Sequence, residues 1–220
     1  MKTAVITGAN RGIGLAMSRQ LVDKGWDIIA VCRSDSEEIE NIANMVISGI
    51  DVTNPSHIEQ VKKIIGDHQV DLLINNAGLL GDEQLGEIDY QSMRDQFEIN
   101  ALAPLRMTEA LLPNMVEGSK VANITSRMGS IEDNDSGGRY GYRASKAALN
   151  AIGKSLAEDL KTQGIAVAQL HPGWVQTRMV NFGGLITPEE SAAGLITLIE
   201  DLTLANTGGF WHTNGETLPW

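Results

Sequence analysis

The sequence has 220 residues, 42% of them hydrophobic and 20% charged, which is typical of a globular protein and excludes a disordered chain. The 17 basic and 28 acidic residues give a net charge of -11, which argues against nucleic acid as a main partner because the protein would repel a phosphate backbone. The lone cysteine, Cys32, excludes an intrachain disulfide, and no run of about 20 apolar residues predicts a membrane span. We therefore expect a cytoplasmic protein without membrane contact.

Short β-rich runs alternate with longer amphipathic segments along the whole chain. The predicted strands are 3–7, 26–32, 45–50, 70–75, 120–125, 165–171 and 210–212. The predicted helices are 13–24, 35–43, 56–66, 90–116, 142–164 and 188–202. Strands that alternate with helices of this length indicate right-handed βαβ units and a parallel sheet. No linker or repeat divides the chain, so we expect residues 1–220 to form a single α/β domain.

A glycine-rich turn lies between the first strand and the first helix. It reads Thr-Gly-Ala-Asn-Arg-Gly-Ile-Gly over 7–14. Glycines at positions 8, 12 and 14 allow a tight turn and let the backbone approach a pyrophosphate, which the N-terminus of the following helix attracts. No Gly-Lys-[Ser/Thr] follows, so this is not a Walker loop. The position of the turn favours a dinucleotide site over a purely structural turn.

The end of the second strand bears on which dinucleotide binds. An NAD site usually has an Asp or Glu at this position to accept hydrogen bonds from the ribose, but here the strand runs into Cys32-Arg33-Ser34. Arg33, joined by Arg11 of the turn, can pair with a 2′-phosphate. We therefore favour NADP(H) over NAD(H). The alternative is that both arginines are simply solvated, and the acidic residues that begin at Asp35 count against a phosphate at this position.

Tyr142 and Lys146 are four residues apart at the start of a long predicted helix, so they share one helical face. A neighbouring ammonium favours the phenolate, and we therefore expect Lys146 to lower the pKa of Tyr142 towards a range useful for proton transfer. The histidines do not show the close spacing of metal ligands, so the sequence predicts no metal site.

Several motifs follow one another in a fixed order along the chain. They are the glycine turn at 7–14, Asp51-Val52, Asn75-Asn76-Ala77-Gly78, Asn100, Ser126, Tyr142 with Lys146, and Pro172-Gly173. In this order they resemble the short-chain dehydrogenase/reductase family over nearly the whole chain. The segments 142–150, 171–177 and 215–220 are further similar to its subgroup of C-factor and sniffer-type carbonyl reductases. The resemblance implies a Rossmann-type, doubly wound parallel sheet of about seven strands in the order 3-2-1-4-5-6-7.

The resemblance also implies an NADP(H)-dependent oxidoreductase that interconverts a ketone or aldehyde and an alcohol. Tyr142 would be the general acid or base, and Lys146 would hold the nicotinamide ribose. Ser126 would hydrogen-bond the substrate carbonyl, and Asn100 would position a water in a proton relay. The alternatives are that Ser126 caps a strand and that Asn100 bonds backbone within its helix.

The cofactor contacts implied by the resemblance extend beyond the glycine turn. The full set of expected cofactor-binding positions is Gly8, Asn10, Arg11, Gly12, Ile13, Gly14, Arg33, Asp51, Val52, Asn76, Ala77, Gly78, Tyr142, Lys146, Pro172, Gly173, Val175 and Thr177. The alternative for Asp51 is a helix N-cap, and the alternative for Asn75 and its neighbours is a turn that stabilises the sheet.

Two other functions remain open on the same scaffold. One is a non-catalytic dinucleotide-binding or C-factor-like signalling protein, and the other is an epimerase or dehydratase. The family resemblance further implies a homodimer or homotetramer joined through the helices at 90–116 and 142–164. The segment 174–187, where the family builds a substrate cover, is short, so we expect a lightly covered pocket for a small-molecule substrate.

Overall fold

All seven predicted strands form in the computed structural model, which describes residues 1–220. Buried side chains dominate the five central strands, as expected for strands covered on both faces, whereas the two strands at the ends of the sheet, Met45–Ile47 and Phe210–His212, each bury one residue of three. The strands are β1 Thr3–Thr7, β2 Asp27–Val31, β3 Met45–Ile47, β4 Leu72–Asn75, β5 Lys120–Ile124, β6 Ala166–His171 and β7 Phe210–His212.

The strands pair into one all-parallel sheet in the order β3-β2-β1-β4-β5-β6-β7. The order reverses between β1 and β4, so the loops after these two strands diverge at the carboxyl edge of the sheet. Ligands bind at such a switch point in open α/β sheets. The fold is therefore the predicted Rossmann-type sheet, in the predicted strand order.

Seven α-helices connect the strands. They are α1 Gly12–Asp23, α2 Glu37–Glu40, α3 Pro55–Ile65, α4 Tyr90–Phe97, α5 Ala103–Leu111, α6 Tyr140–Leu160 and α7 Pro188–Asp201. None of them is both long and apolar enough to cross a lipid bilayer.

Two apolar cores cover the faces of the sheet. On one face, α1, α2 and α7 pack against alternate strand residues such as Ile6 and Ile74. On the other face, α3, α5 and the end of α6 pack against the intervening residues, among them Val5 and Leu73. The alternation follows from the period of two along a strand, and it leaves the carboxyl edge of the sheet free for polar groups.

Two predicted helices differ from the structure. The helix predicted over 35–43 shrinks to the single turn of α2, whose Ser36 side chain accepts a hydrogen bond from the Ile39 amide. The helix predicted over 90–116 is interrupted, because Glu98–Leu102 forms a π-helical turn between α4 and α5. Asn100 lies in this turn, and π-helical turns often mark functional sites.

Candidate active site

The glycine turn has the backbone geometry of a cradle. Gly8 and Gly12 adopt the left-handed region with φ of +66° and +53°, where side chains are strained. A Cβ on Gly14 would overlap the Gly8 carbonyl oxygen. The N-cap of α1 is Arg11, whose side chain makes no capping hydrogen bond. The first amides of α1 are therefore available to an anionic group, which fits the pyrophosphate of a dinucleotide.

Asn76 holds this turn from the neighbouring strand. Its Nδ2 donates to the carbonyl oxygens of Thr7 and Gly8 at 3.0 and 3.2 Å. The Thr7 hydroxyl in turn accepts from the amides of Asn76 and Ala77 at 3.0 and 3.1 Å. The Asn76 side-chain NH₂ group is therefore committed to the glycine turn. Asn75 is structural as well, because its buried amide donates to Asn123 Oδ1 at 2.9 Å.

Arg11 and Arg33 are both exposed, and neither takes part in an ion pair. Glu38 is the acidic side chain of this region that pairs, and its partner is Arg19, at 3.3 Å. Asp51 is not a helix cap, because its carboxylate accepts from the amide and hydroxyl of Thr53 at 2.9 and 2.7 Å. Thr53 holds the pKa of Asp51 below its ordinary value, and the nearby Arg33 lowers it further. The guanidinium groups of Arg11 and Arg33 are therefore both uncommitted within the protein.

Ser126, Tyr142 and Lys146 come together at the carboxyl end of β5. The Lys146 ammonium nitrogen donates to the Ile124 carbonyl at 2.9 Å and lies 5.8 Å from the centre of the Tyr142 ring. Ser126 Oγ accepts from the Met128 amide at 3.1 Å, so it caps the short turn Arg127–Gly129. Its hydroxyl hydrogen remains free to donate, which makes the capping role compatible with a role towards a substrate.

The pKa of Tyr142 differs from the expectation. Burial raises it above the ordinary value, and this outweighs the lowering by the Ser126 hydroxyl and by Arg139. Lys146 does not lower it, because burial also lowers the pKa of Lys146 to about 7 and so weakens its positive charge near neutral pH. The expectation that Lys146 lowers the pKa of Tyr142 is therefore wrong.

Asn100 is fully buried, and its side chain is fully bonded within the protein. Oδ1 accepts from the Leu79 amide at 2.9 Å, while Nδ2 donates to the Leu79 carbonyl at 2.8 Å and to Ser145 Oγ at 3.0 Å. Ser145 in turn donates to the Tyr142 carbonyl at 2.9 Å. The side chain thus links the loop after β4 to the helix of Tyr142, which leaves it no free donor for a water. Ser145 received no role from the sequence, although it stands directly before Lys146.

Gly78 lies between two of the predicted catalytic residues. A Cβ built on it would lie 3.0 Å from Asn100 Oδ1 and 3.8 Å from Lys146 Nζ. The predicted cofactor segment after β4 therefore lies beside the predicted catalytic residues.

The segment after β6 closes the site from the other side. Gly173 has φ of +85°, Val175 is buried and pairs with Ile186, and the segment turns back on itself. A Cβ on Gly12 would lie 3.4 Å from the Thr177 methyl group. Thr177 therefore faces the glycine turn at Gly12.

Two curated relatives match this chain closely. The 1-hydroxy-2-glutathionyl-2-methyl-3-butene dehydrogenase of Rhodococcus sp. (strain AD45) is 42% identical over 226 aligned residues that cover all of both chains. The C-signal protein of Myxococcus xanthus is 45% identical over 154 residues, which cover 69% of this chain and 93% of that protein.

Solved structures and a family model complete the comparison. The carbonyl reductase Sniffer of D. melanogaster superposes with a TM-score of 0.90 at 29% identity, with both chains fully covered. A carbonyl reductase from Pseudomonas aeruginosa PAO1 in complex with NADP gives 0.87 at 32% identity, again over the whole of both chains. The family model described as short chain dehydrogenase matches residues 2–183. This chain therefore belongs to the short-chain dehydrogenase/reductase family of oxidoreductases, with C-factor-like and sniffer-like relatives.

Proposed function

We propose that this protein is an NADP(H)-dependent carbonyl reductase with Tyr142 as its proton donor. One observation carries the proposal: the buried Lys146 lies 5.8 Å from the centre of the Tyr142 ring and donates to the Ile124 carbonyl at the end of β5, where Ser126 follows with its hydroxyl hydrogen free to donate. A non-catalytic nucleotide binder would have no need of two hydroxyl groups converging there.

Each residue of this group has a defined task in the proposed reaction. The cofactor, when bound, supplies the hydride. Ser126 donates a hydrogen bond to the substrate carbonyl oxygen, and Tyr142 gives its phenolic proton to the same oxygen as negative charge develops on it. A tyrosine with an ordinary pKa near 10 is already protonated at neutral pH, and burial raises the pKa of Tyr142 further, so the phenol carries the proton that this step needs. Lys146 would hold the nicotinamide ribose, and Asn100 fixes the two elements that carry the site.

The residues around the glycine turn fit NADP(H). The turn offers amides to the pyrophosphate, while Arg11 and Arg33 offer two unpaired guanidinium groups to a 2′-phosphate. The Pseudomonas carbonyl reductase described above is an NADP complex, which supports the same cofactor. Replacement Arg33→Ala should weaken NADPH binding by about tenfold or more and leave NADH binding unchanged, since a hydrogen-bonded charge pair contributes about 1.5–3 kcal/mol. Fluorescence titration with both cofactors measures this, and an unchanged preference would remove Arg33 from the site.

The names of the relatives indicate two substrate classes to test. A substrate panel should therefore contain activated ketones and aldehydes, because carbonyl reductases are among the structural relatives. It should also contain alcohols and aldehydes that bear a glutathionyl group, because the full-length Rhodococcus relative is named for such an alcohol. Both reaction directions should be followed.

The decisive experiment compares NADPH oxidation by the wild type and by Tyr142→Phe across this panel. Loss of the proton donor should lower kcat by about 10²–10⁴-fold, with NADPH affinity retained. The Tyr140→Phe variant is the matched control, because this neighbouring phenol is exposed and is expected to keep full activity. If the wild type, Tyr142→Phe and Tyr140→Phe all bind NADPH tightly but none of them turns over, the result would instead favour a non-catalytic nucleotide-binding role. The similarity to the C-signal protein leaves that role open.

Domain organisation and assembly belong to the same proposal. Residues 1–220 share one sheet and fold as one domain in this view. The chain would form a homodimer or homotetramer through the outer faces of α4, α5 and α6. Ala144 and Ala151 support this interface, since both are exposed on α6 and turn away from the sheet. Sedimentation equilibrium measures the assembly directly.

A further inference from the structure

A buried carboxylate lies beneath the first turn of α6, outside the residues described so far. Glu83, in the loop after β4, is only 4% exposed. Its Oε2 accepts from the Gly141 amide at 3.2 Å, and its backbone carbonyl accepts from the Arg139 amide at 2.8 Å. Gly141 directly precedes Tyr142. The carboxylate therefore holds the backbone immediately next to the proposed proton donor.

The other side of this carboxylate is fixed by α4. Glu83 Oε1 accepts from Ser92 Oγ at 2.7 Å and from Gln96 Nε2 at 2.5 Å. Gln96 is fully buried, and its own Oε1 accepts from the Gly81 amide at 2.9 Å. Three donors therefore converge on one carboxylate without any basic side chain. Burial raises the pKa of Glu83, but the hydrogen bonds from Ser92, Gly141 and Gln96 outweigh it and keep the pKa below its ordinary value.

The start of α6 depends on this contact because the helix has no cap of its own. Arg139 occupies the N-cap position with φ of +50°, a strained value for a side chain of this size, and it makes no side-chain cap. A carboxylate at a helix N-terminus satisfies an unpaired amide and complements the helix dipole. Glu83 supplies both from a distant loop.

Two glycines make room for the cluster. A Cβ on Gly81 would overlap Glu83 Oε1 and Gln96 Nε2, and a Cβ on Gly141 would lie 2.6 Å from Gln96 Nε2. Both glycines lack positive φ values, so the reason for glycine here is close packing and not backbone conformation. The loop after β4, α4 and the start of α6 therefore fit together around the carboxylate.

We propose that Glu83 is a positioning residue for Tyr142: its buried carboxylate fixes the first turn of α6 and thereby the place of the phenolic hydroxyl relative to Ser126. This inference rests on the proposed function for its catalytic consequence, but the anchoring itself does not depend on it. A misplacement of about 1 Å can lower a rate by about 10²-fold, so a backbone anchor next to the proton donor has a measurable effect on turnover.

The first test uses Glu83→Gln, which keeps the size of the side chain but places an NH₂ group among three donors. Hydrogen exchange of the amides in residues 140–143 should become at least tenfold faster, independently of any activity. The kcat should fall by about tenfold or more, with the KM for NADPH changed less than twofold. Gly81→Ala should reproduce both effects, because its added methyl group displaces the carboxylate without altering its chemistry.

The matched control is Asp71→Asn. Asp71 directly precedes β4, at the amino-terminal ends of the strands and so opposite the proposed site. Asp71 likewise accepts from a backbone amide, that of Thr3, at 2.8 Å and from a glutamine amide, that of Gln69, at 2.7 Å. This variant should lose stability without loss of kcat. Equal loss of stability in both variants with kcat unchanged in Glu83→Gln would overturn the proposal.

A double-mutant cycle with Tyr142→Phe separates positioning from a general effect. If Glu83 acts through the Tyr142 hydroxyl, Glu83→Gln should change the residual rate of Tyr142→Phe by less than twofold. The same fold loss in both backgrounds would contradict the proposal. Absence of turnover in the wild type would contradict the proposed function alone, since the hydrogen-exchange result still decides whether Glu83 anchors the helix.

Discussion

At the residue scale, Lys146 is an amine buried without an acidic partner. It is 4% exposed, and its nitrogen donates to one carbonyl oxygen, that of Ile124. A carbonyl oxygen compensates the desolvation of an ammonium only in part, so burial lowers the pKa of Lys146 from 10.5 to about 7. The folded protein therefore holds this amine at a cost in stability.

This cost predicts a specific dependence of stability on pH. Between pH 7 and 10.5 the unfolded chain keeps the Lys146 proton while the folded protein loses it, so the free energy of unfolding rises with pH. Relative to Lys146→Met, the wild type should gain up to about 1.4 kcal/mol per pH unit inside this window. Below the window the difference should be constant, because both states then bind the proton.

Urea unfolding of the two proteins from pH 6 to pH 9.5 measures the effect. The exposed Lys63, replaced by Met in the same way, controls for the loss of an amine. Parallel curves for wild type and Lys146→Met across the window would contradict the assigned burial cost.

The residue scale also shows what the sequence can and cannot predict. Motif spacing predicted that Ser126, Tyr142 and Lys146 lie at one edge, because Ser126 follows a strand end and residues four apart share one face of a helix. The pKa of Tyr142 was predicted in the wrong direction, since spacing does not reveal desolvation. Glu83 gave no signal at all, because its partners come from α4 and from a backbone amide of α6.

At the element scale, α6 rests on a buried row of side-chain amides. Asn75 Nδ2 donates to Asn123 Oδ1 at 2.9 Å, and Asn123 Nδ2 donates to Gln169 Oε1 at 3.1 Å, so the row crosses β4, β5 and β6. All three side chains are buried. Gly153 of α6 faces this row, which lets the helix approach the sheet closely.

Adding a methyl group at this contact should destabilise the protein. In Gly153→Ala the new Cβ would overlap Gln169 Oε1 and lie 3.0 Å from Asn123 Nδ2. Helix propensity alone would stabilise the variant by about 1 kcal/mol, whereas overpacking of a core costs about 1–3 kcal/mol and here also disturbs buried hydrogen bonds. We expect a net loss of stability, measured as a lower midpoint in urea.

The exposed Ala151 supplies the control for helix propensity on the same helix. Ala151→Gly should lose about 1 kcal/mol with no packing change. A Gly153→Ala variant that is more stable than the wild type would contradict this prediction. It would mean that the buried amide side chains can shift to accommodate the methyl group.

The elements themselves were predicted unevenly from sequence. The buried strand β1 has the predicted bounds, because apolar continuity between turns defines it. The π-helical turn at Glu98–Leu102 was missed, since an extra residue in a helix does not change the apolar pattern enough to be read. Its cause is tertiary: Asn100 is bonded to the Leu79 backbone.

At the scale of the whole molecule, the net charge of -11 acts on stability as well as on partners. Seven ion pairs form, and in every one of them both side chains are partly exposed. Exposed pairs contribute about 0–1 kcal/mol each, so they do not neutralise the excess of acidic groups. Repulsion among the unpaired carboxylates therefore remains, and it opposes the compact state.

Added salt should consequently stabilise this protein at neutral pH. Ions screen long-range repulsion over a Debye length of about 10 Å at 0.1 M, and they also weaken the seven pairs, but the repulsive contribution is the larger one at this net charge. Raising NaCl from 20 to 300 mM should increase the free energy of unfolding in urea by about 0.5–1.5 kcal/mol, an order of magnitude set by the weakness of surface electrostatics. Sucrose at matched osmolality controls for effects unrelated to charge. A decrease in the free energy of unfolding with added NaCl would mean that the attractive pairs outweigh the repulsion. The same measurement at pH 5, where carboxylates begin to bind protons, should show a smaller salt effect.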